Sequence, residues 1–211
     1  MMQARHPFNF DAIAEAFAEE GFERASMERI AERARVAKRT LYYHFTSKEE
    51  LFDAAVEAIC DNALDFLFVE YNRAEQFPAP ENIRITLQAF FTYAEVHPSV
   101  FEIVMRMKAA TPASIVKIED TIDRITERIS EAFYRAGGAK GRPTGRVTEV
   151  LAVMTVGAAD HVARLMARTP GWDKDPVIDL MTDLWAQAFI HVDLQKLADV
   201  DHSAPPRPKK R

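Results

Sequence analysis

Apolar residues recur along this chain at three- and four-residue intervals and almost nowhere in strict alternation, a pattern that predicts helices and no sheet. Phe10, Ile13, Ala14 and Phe17 form the first stripe, and Gly21 is placed to stop that helix after Glu20. Ser26 is a good N-cap for a short second helix, with Glu28 near its positive end and Ile30, Ala31 and Ala34 facing inward. A third helix covers about residues 38–44. Thr46-Ser47-Lys48-Glu49-Glu50 then offers two overlapping capping boxes, Thr46 with Glu49 or Ser47 with Glu50. They open a long fourth helix striped by Phe52, Ala55, Val56, Ile59, Ala63, Phe66 and Leu67. Pro78 and Pro80 interrupt the pattern, and Ile83, Leu87, Phe90 and Ala94 predict a fifth helix closed by His97-Pro98. A short sixth helix covers about residues 99–108. The seventh carries Ile115, Ile118, Ile122, Ile125, Ile129 and Phe133 and ends at Gly137-Gly138. The eighth, about residues 144–168, shows Val147, Val150, Leu151, Met154, Ala158, His161, Val162 and Leu165. Asp175-Pro176 reads as an N-cap with a first-turn proline and opens a ninth helix to about residue 198. Its stripe is Val177, Met181, Leu184, Trp185, Ala188, Phe189 and Val192. The fold class is all-α with about nine helices, and no internal repeat is visible.

Composition narrows the function. The chain has 211 residues, 48% hydrophobic and 28% charged, as an ordinary globular protein does, which excludes a disordered chain or a collagen-like repeat. Cys60 is the only cysteine, so an intrachain disulfide or a cysteine-cluster zinc site is excluded; a buried small hydrophobe is the plainer reading, a redox sensor the sharper one. The longest uncharged apolar stretch, residues 151–159, is far short of the ~18 residues a membrane helix needs. The N-terminal residues lack the apolar core of a signal peptide, so a soluble cytoplasmic protein without a membrane partner is expected. The histidines show no metal-ligand spacing, and no hydrolase, metalloprotease or dinucleotide fingerprint occurs. Gly137-Gly138-Ala139-Lys140-Gly141-Arg142 lacks the spacing of a phosphate loop. Neither a catalytic centre, a metal nor a cofactor is expected.

The net charge of −5 opposes nucleic acid only until it is divided along the chain. Residues 33–48 hold Arg33, Arg35, Lys38, Arg39 and Lys48 and no carboxylate. A local cluster within a Debye length of ~8–10 Å attracts a polyanion whatever the total charge. On the third helix Leu41 and Phe45 share an apolar face, Arg39, Thr40 and Tyr43 point away from it, and Lys38 and Tyr42 flank it. Such a helix fits a major groove, where Arg or Lys bonds a guanine edge and Thr and Tyr bond phosphate or touch a thymine methyl. Ser26 and Lys48 stand at helix N-termini, where free N–H groups attract phosphates. The stretch from Ser26 to Phe45 therefore has the properties of a helix-turn-helix. A solvated basic face is the bland alternative for the charge run taken by itself.

Residues 8–52 resemble the N-terminal domain of TetR-family transcriptional regulators. The likeness lies in Phe17, Gly21-Phe22, Ile30-Ala31-Glu32-Arg33-Ala34, Val36, Thr40-Leu41-Tyr42-Tyr43-His44-Phe45 and Ser47-Lys48-Glu49-Glu50-Leu51. It implies a three-helix DNA-binding domain over residues 1–52 and a helical ligand-binding and dimerisation domain over residues 53–200. It also implies that Lys38, Arg39 and Thr40 reach base edges, and that Tyr42, Tyr43, His44 and Lys48 contact phosphates. For His44 a structural place against the first helix stands beside that reading. The family usually has Gly where this chain has Arg35, and often a capping Ser where it has Ala37, so the turn is expected to carry positive-φ strain and an uncapped third helix. Arg35 is a candidate phosphate contact in return.

In the C-terminal part, Phe66, Phe90, Tyr93 and Met105, with Asp160 and His161 as polar anchors, are candidate lining for a small-molecule inducer, with ordinary core packing as the alternative for each. A hydrogen bond at a dimer interface is the alternative for Asp160 and His161. Residues 201–211, with Arg207, Lys209, Lys210 and Arg211 among prolines, are expected to be a disordered basic tail. These readings together describe a ligand-responsive repressor, not an enzyme, that binds a double-stranded, pseudo-palindromic operator as a homodimer through helices eight and nine. An all-helical ligand-binding or protein-interaction module with only non-specific DNA affinity remains the alternative.

Overall fold

A computed structural model describes residues 8–105, 111–136, 145–169 and 171–191. Among them the regular structure is nine helices: α1 (Phe10–Glu20), α2 (Met27–Arg33), α3 (Lys38–His44), α4 (Lys48–Ala74), α5 (Glu81–Val96), α6 (Pro98–Met105), α7 (Pro112–Ala136), α8 (Gly145–Arg168) and α9 (Lys174–His191). The Gly137-Gly138 stop, residues 106–108 and 192–198, and the basic tail lie outside the described residues, as does the side chain of Met105.

Local chemistry sets most of these boundaries. Asn9 caps α1 by accepting from the Ala12 N–H at 3.2 Å, and Gly21, at φ 74°, ends it by donating to Phe17 O. At α4 the Ser47 box is the one used, with Ser47 Oγ accepting from Glu50 N at 3.1 Å. The Glu50 carboxylate turns back to accept from both the N–H and the hydroxyl of Thr46 at 2.7 Å, and these bonds hold its carboxyl below the usual range. The cap of α9 differs from the expected one. Asp173 rather than Asp175 accepts the cap bond, from Asp175 N at 3.1 Å, and Pro176 sits deeper in the first turn, where its missing N–H still costs nothing.

The described residues pack into two compact units, one of residues up to Val69 together with Ala89–Ile122, the other of Glu70–Gln88 together with Asp123 onward. The line expected at residues 52 and 53 falls inside the unbroken α4. In the first unit α1 packs on α2 and on α6, and α2 on α3, around the fully buried Ile13, Ile30, Leu41, Leu51, Val56 and Ile59. Cys60 is buried there, and burial pushes its thiol pKa up. In the second unit Ile178, Met181 and Trp185 are buried on α9, and Glu75 pairs with Arg128 and Arg135.

On α8 Val147 is buried, while the other large apolar residues are half-buried or exposed. Thr148, Ala152, Thr155, Ala159 and Ala163 form the buried stripe, while Val150, Met154 and Leu165 stand about half exposed on the opposite side. Residues Arg146–Arg168 have the length and composition of a membrane-crossing helix, and 22% of that apolar window is buried.

Candidate nucleic-acid interface

The turn between α2 and α3 is built on a left-handed residue. Ala34 N–H closes α2 onto Ile30 O, Arg35 N–H bonds Glu32 O at 3.1 Å and Val36 N–H bonds Ala31 O at 2.9 Å. These are the paired bonds of a Schellman motif, which requires positive φ at the residue after the C-cap. Arg35 supplies it at φ 55°, among the described residues the one non-glycine with positive φ, at a cost on the order of 1 kcal/mol. Ala37 then leads α3 with no side-chain cap bond. Both expectations drawn from Arg35 and Ala37 hold.

The heel of α3 is fixed by burial, with Leu41 at 0% and Phe45 at 6% exposure. Its outer face is open: Arg39 and His44 are exposed, Tyr42 is half-exposed and Tyr43 is 84% exposed. Thr40 is half-buried at the edge. The His44 ring stands edge-on to Phe8, just ahead of α1, at 5.1 Å and is exposed. Ser26 Oγ caps α2 by accepting from Arg29 N at 3.3 Å, which leaves its hydroxyl hydrogen to donate. Lys48 Nζ donates to Phe22 O at 2.8 Å and to Glu23 O at 3.3 Å and lies over the Phe22 ring at 4.6 Å. Two of its three N–H groups are thus spent inside the protein and one is left for a phosphate.

The basic run is less free than its sequence indicates, because carboxylates from other helices fold onto it. Arg33 pairs with Glu19, and Lys38 Nζ lies 2.6 Å from Glu28 Oε1. Tyr42 donates its hydroxyl to the same Glu28 oxygen at 3.1 Å. The Lys38 hydrogen bond first, then Glu28's own backbone N–H and the Tyr42 hydroxyl, hold the Glu28 carboxyl down to about 2. The same contact pushes the pKa of both Lys38 and Tyr42 upward. Arg35 and Arg39 have no polar partner among the described residues, so their guanidinium groups are available for an external acceptor. Sequence reasoning placed Glu28 only at the positive end of its helix; the link to Lys38 and Tyr42 spans ten and fourteen residues and two helices.

The candidate ligand-lining residues are dispersed. Phe66 and Tyr93 meet at 5.4 Å between ring centroids, Tyr93 continues to His97 at 4.5 Å, and Phe90 contacts Phe101 at 5.5 Å, all in the first unit. Asp160 and His161 belong to the second. Asp160 is largely buried, its side chain 21% exposed, and pairs with Arg164, whereas His161 is 77% exposed with Nδ1 2.9 Å from Gly157 O, so His161 does not line an interior surface within that unit. A cleft of about 220 Å³ in the first unit is lined instead by Asp53, Glu57, Ala113, Ser114 and Lys117. Among the described residues, two buried polar atoms one helical turn apart on α9, Thr182 Oγ1 and Trp185 Nε1, have no hydrogen-bond partner. The sequence signal for that pair was a Thr and a Trp at i and i+3 on an otherwise apolar face.

A short three-helix head with a basic, aromatic outer helix is a helix-turn-helix DNA-binding protein by its geometry. Residues 10–55 match the sequence model of the bacterial regulatory proteins of the tetR family. The HTH-type transcriptional activator FasR of Mycolicibacterium smegmatis is 25% identical over 151 residues, 71% of this chain and 68% of that one. A TetR-like transcriptional regulator from Rhodococcus sp. RHA1 superposes with a TM-score of 0.61 at 26% identity, covering 86% of this chain and 92% of that one. AibR, solved in complex with isovaleryl coenzyme A and operator DNA, shares the fold with a TM-score of 0.64 at 20% identity, over 83% of this chain and 94% of that one. Residues 10–55 thus match the tetR-family DNA-binding domain, and the chain as a whole is similar to TetR-family transcriptional regulators. Its relatives are regulators rather than enzymes.

Proposed function

We propose that this regulator binds a pseudo-palindromic operator as a homodimer joined through α8 and α9, and that a small molecule held among the C-terminal helices releases it, so that it acts as a repressor. The observation that carries the dimer is the outward apolar face: Val150, Val153, Met154 and Leu165 on α8, and Leu180 and Leu184 on α9, the last two 69% and 62% exposed. Scattered apolar residues on a surface need no explanation, but two stripes on consecutive helices do. Gly157 lies within the α8 stripe, and a Cβ built there meets nothing within 4 Å, which leaves room for a partner helix to approach. A two-fold pair of this kind presents two copies of α3, matching an operator with two half-sites.

In this reading Lys38, Arg39 and Thr40 read bases, and Ser26, Arg35, Tyr42, Tyr43, His44 and Lys48 contact the backbone. His161, on the outward stripe, falls at the dimer surface rather than in a ligand cavity. The inducer reading is supported by the aromatic run Phe66–Tyr93–His97, by Thr182 and Trp185, which have no hydrogen-bond partner among the described residues, and by AibR holding isovaleryl coenzyme A. A ligand releases DNA only as far as it favours the non-binding state. Activation is the second reading on the sign of control, favoured by the similarity to FasR, a transcriptional activator.

Selection of bound duplexes from a random pool by the purified protein tests the proposal. Enrichment of an inverted repeat is expected, with half-sites one or more helical turns apart, ~34 Å per turn. Salt-dependent binding with no enriched sequence in ligand-stripped protein would overturn it and leave the module with non-specific affinity. A reporter driven from the selected repeat decides between repression and activation.

A further inference from the structure

Glu28 places a full negative charge on the face that must approach a polyanion, and it binds two of the side chains expected to touch DNA. Repulsion of a carboxylate by phosphates within a Debye length weakens association with every DNA sequence alike. The position is in the first turn of α2, where an acidic residue also steadies the helix dipole. That duty needs neither Lys38 nor Tyr42, and the observed geometry goes further: one oxygen, Oε1, collects the Lys38 ammonium at 2.6 Å and the Tyr42 hydroxyl at 3.1 Å, with Lys38 also 5.7 Å from the centre of the Tyr42 ring. The three groups form a closed triangle that ties α2 to α3, and the carboxylate in it stays ionised throughout the neutral and mildly acidic range.

We propose that Glu28 is a specificity-determining residue that withholds Lys38 and Tyr42 from arbitrary phosphates. Non-specific affinity comes almost wholly from cations that displace counterions along the backbone, each adding about 0.9 to the salt slope. A lysine already neutralised by an intramolecular carboxylate contributes little to that term. Once Arg39, free of any polar partner among the described residues, has seated α3 on its bases, Lys38 exchanges the carboxylate for a base edge or a phosphate at fixed distance. Random sequence offers no such seating, so the exchange goes uncompensated there. Discrimination therefore rises at some expense of affinity, a form of specificity obtained by penalising the wrong partner. The inference rests on the reading that α3 recognises an operator, and the experiment separates the two.

Binding of the intact wild-type protein, Glu28→Gln, Lys38→Met and the double variant is measured by fluorescence anisotropy. Each is titrated with the selected duplex and with a scrambled duplex of equal length, at salt concentrations from about 50 to 200 mM. Glutamine keeps an oxygen for the Tyr42 hydroxyl and removes the charge. Glu28→Gln is expected to tighten the scrambled duplex roughly tenfold near 0.1 M salt and to steepen its slope by about one, with a smaller gain on the selected duplex. In the Lys38→Met background that change of slope is expected to vanish, as a double-mutant cycle requires of two groups acting together. Equal tightening on both duplexes overturns the proposal, and so does a full Glu28→Gln effect that persists without Lys38. A wild-type protein that does not distinguish the two duplexes overturns the operator reading itself and this inference with it; a discriminating wild type beside an equally discriminating Glu28→Gln removes Glu28 alone.

Discussion

In α3 the large apolar side chains, Leu41 and Phe45, go inside and the basic and hydroxyl-bearing ones go out. In α8 the arrangement is inverted, with Val150, Val153, Met154 and Leu165 outside and Thr148, Ala152, Thr155, Ala159 and Ala163 inside. Both helices are amphipathic, and the same periodicity describes both. The DNA-binding head completes its core within one chain, whereas α8 shows its bulk to whatever lies outside. Small buried residues let α8 approach its own neighbours closely, and the outward apolar stripe is what the proposed dimer would cover.

The contrast can be broken at its strongest point first. Leu184→Glu on the outward face of α9 is expected to leave the helix content unchanged, give a monomer in sedimentation, and weaken operator binding ~10²–10⁴-fold, because the second half-site is no longer held at high effective concentration. A dimer that survives the substitution would move the interface elsewhere. Leu41→Ala, at a side chain with no exposure, should cost ~2–5 kcal/mol in denaturant melts, the reverse pattern of a large loss in stability with no effect on oligomeric state. Arg39→Ala should leave stability alone and cost about 1–3 kcal/mol on the selected operator while random DNA binds as before. Equal losses on both would take Arg39 off the list of base readers. Arg35→Gly should raise stability by about 1 kcal/mol by relieving the positive φ, and lower the salt slope by about one if its guanidinium meets a phosphate. Smallest of all, Ala37→Ser should add up to ~1 kcal/mol through the missing cap on α3, visible as a rise in melting temperature.

The head was legible because its determinants are local. The stops and caps at Gly21, Ser26 and Ser47 announce themselves within four residues of the bonds they make, and so does the Asn9 cap, which the sequence reading nevertheless misses; Arg35 betrays its strain by standing where a Schellman turn prefers glycine. What stayed hidden was every partner supplied from a distance. Residues 33–48 contain no carboxylate, yet Glu19 and Glu28 neutralise Arg33 and Lys38 from other helices. For α8, periodicity identifies which residues share a face but not what covers that face, so a stripe meant for the outside reads like one meant for the core. Asp173 and Asp175 both precede Pro176, and only the backbone path decides which of them caps. The ligand site was least legible of all, since a cavity is defined by residues far apart in sequence and polar groups such as Thr182 and Trp185 look like ordinary core until their partners are found missing.

Lys48 has a mechanical consequence. It is the first residue of α4, and its ammonium grips the carbonyls of Phe22 and Glu23 in the segment that leads from α1 into α2. A rotation at the head of α4 must therefore either drag that segment along or tear two charge-assisted bonds, and dragging is the cheaper course. The side chain works as a linkage rod: it converts a turn of one long helix into a displacement of the whole head, with the recognition helix carried as rigid cargo rather than bent in place.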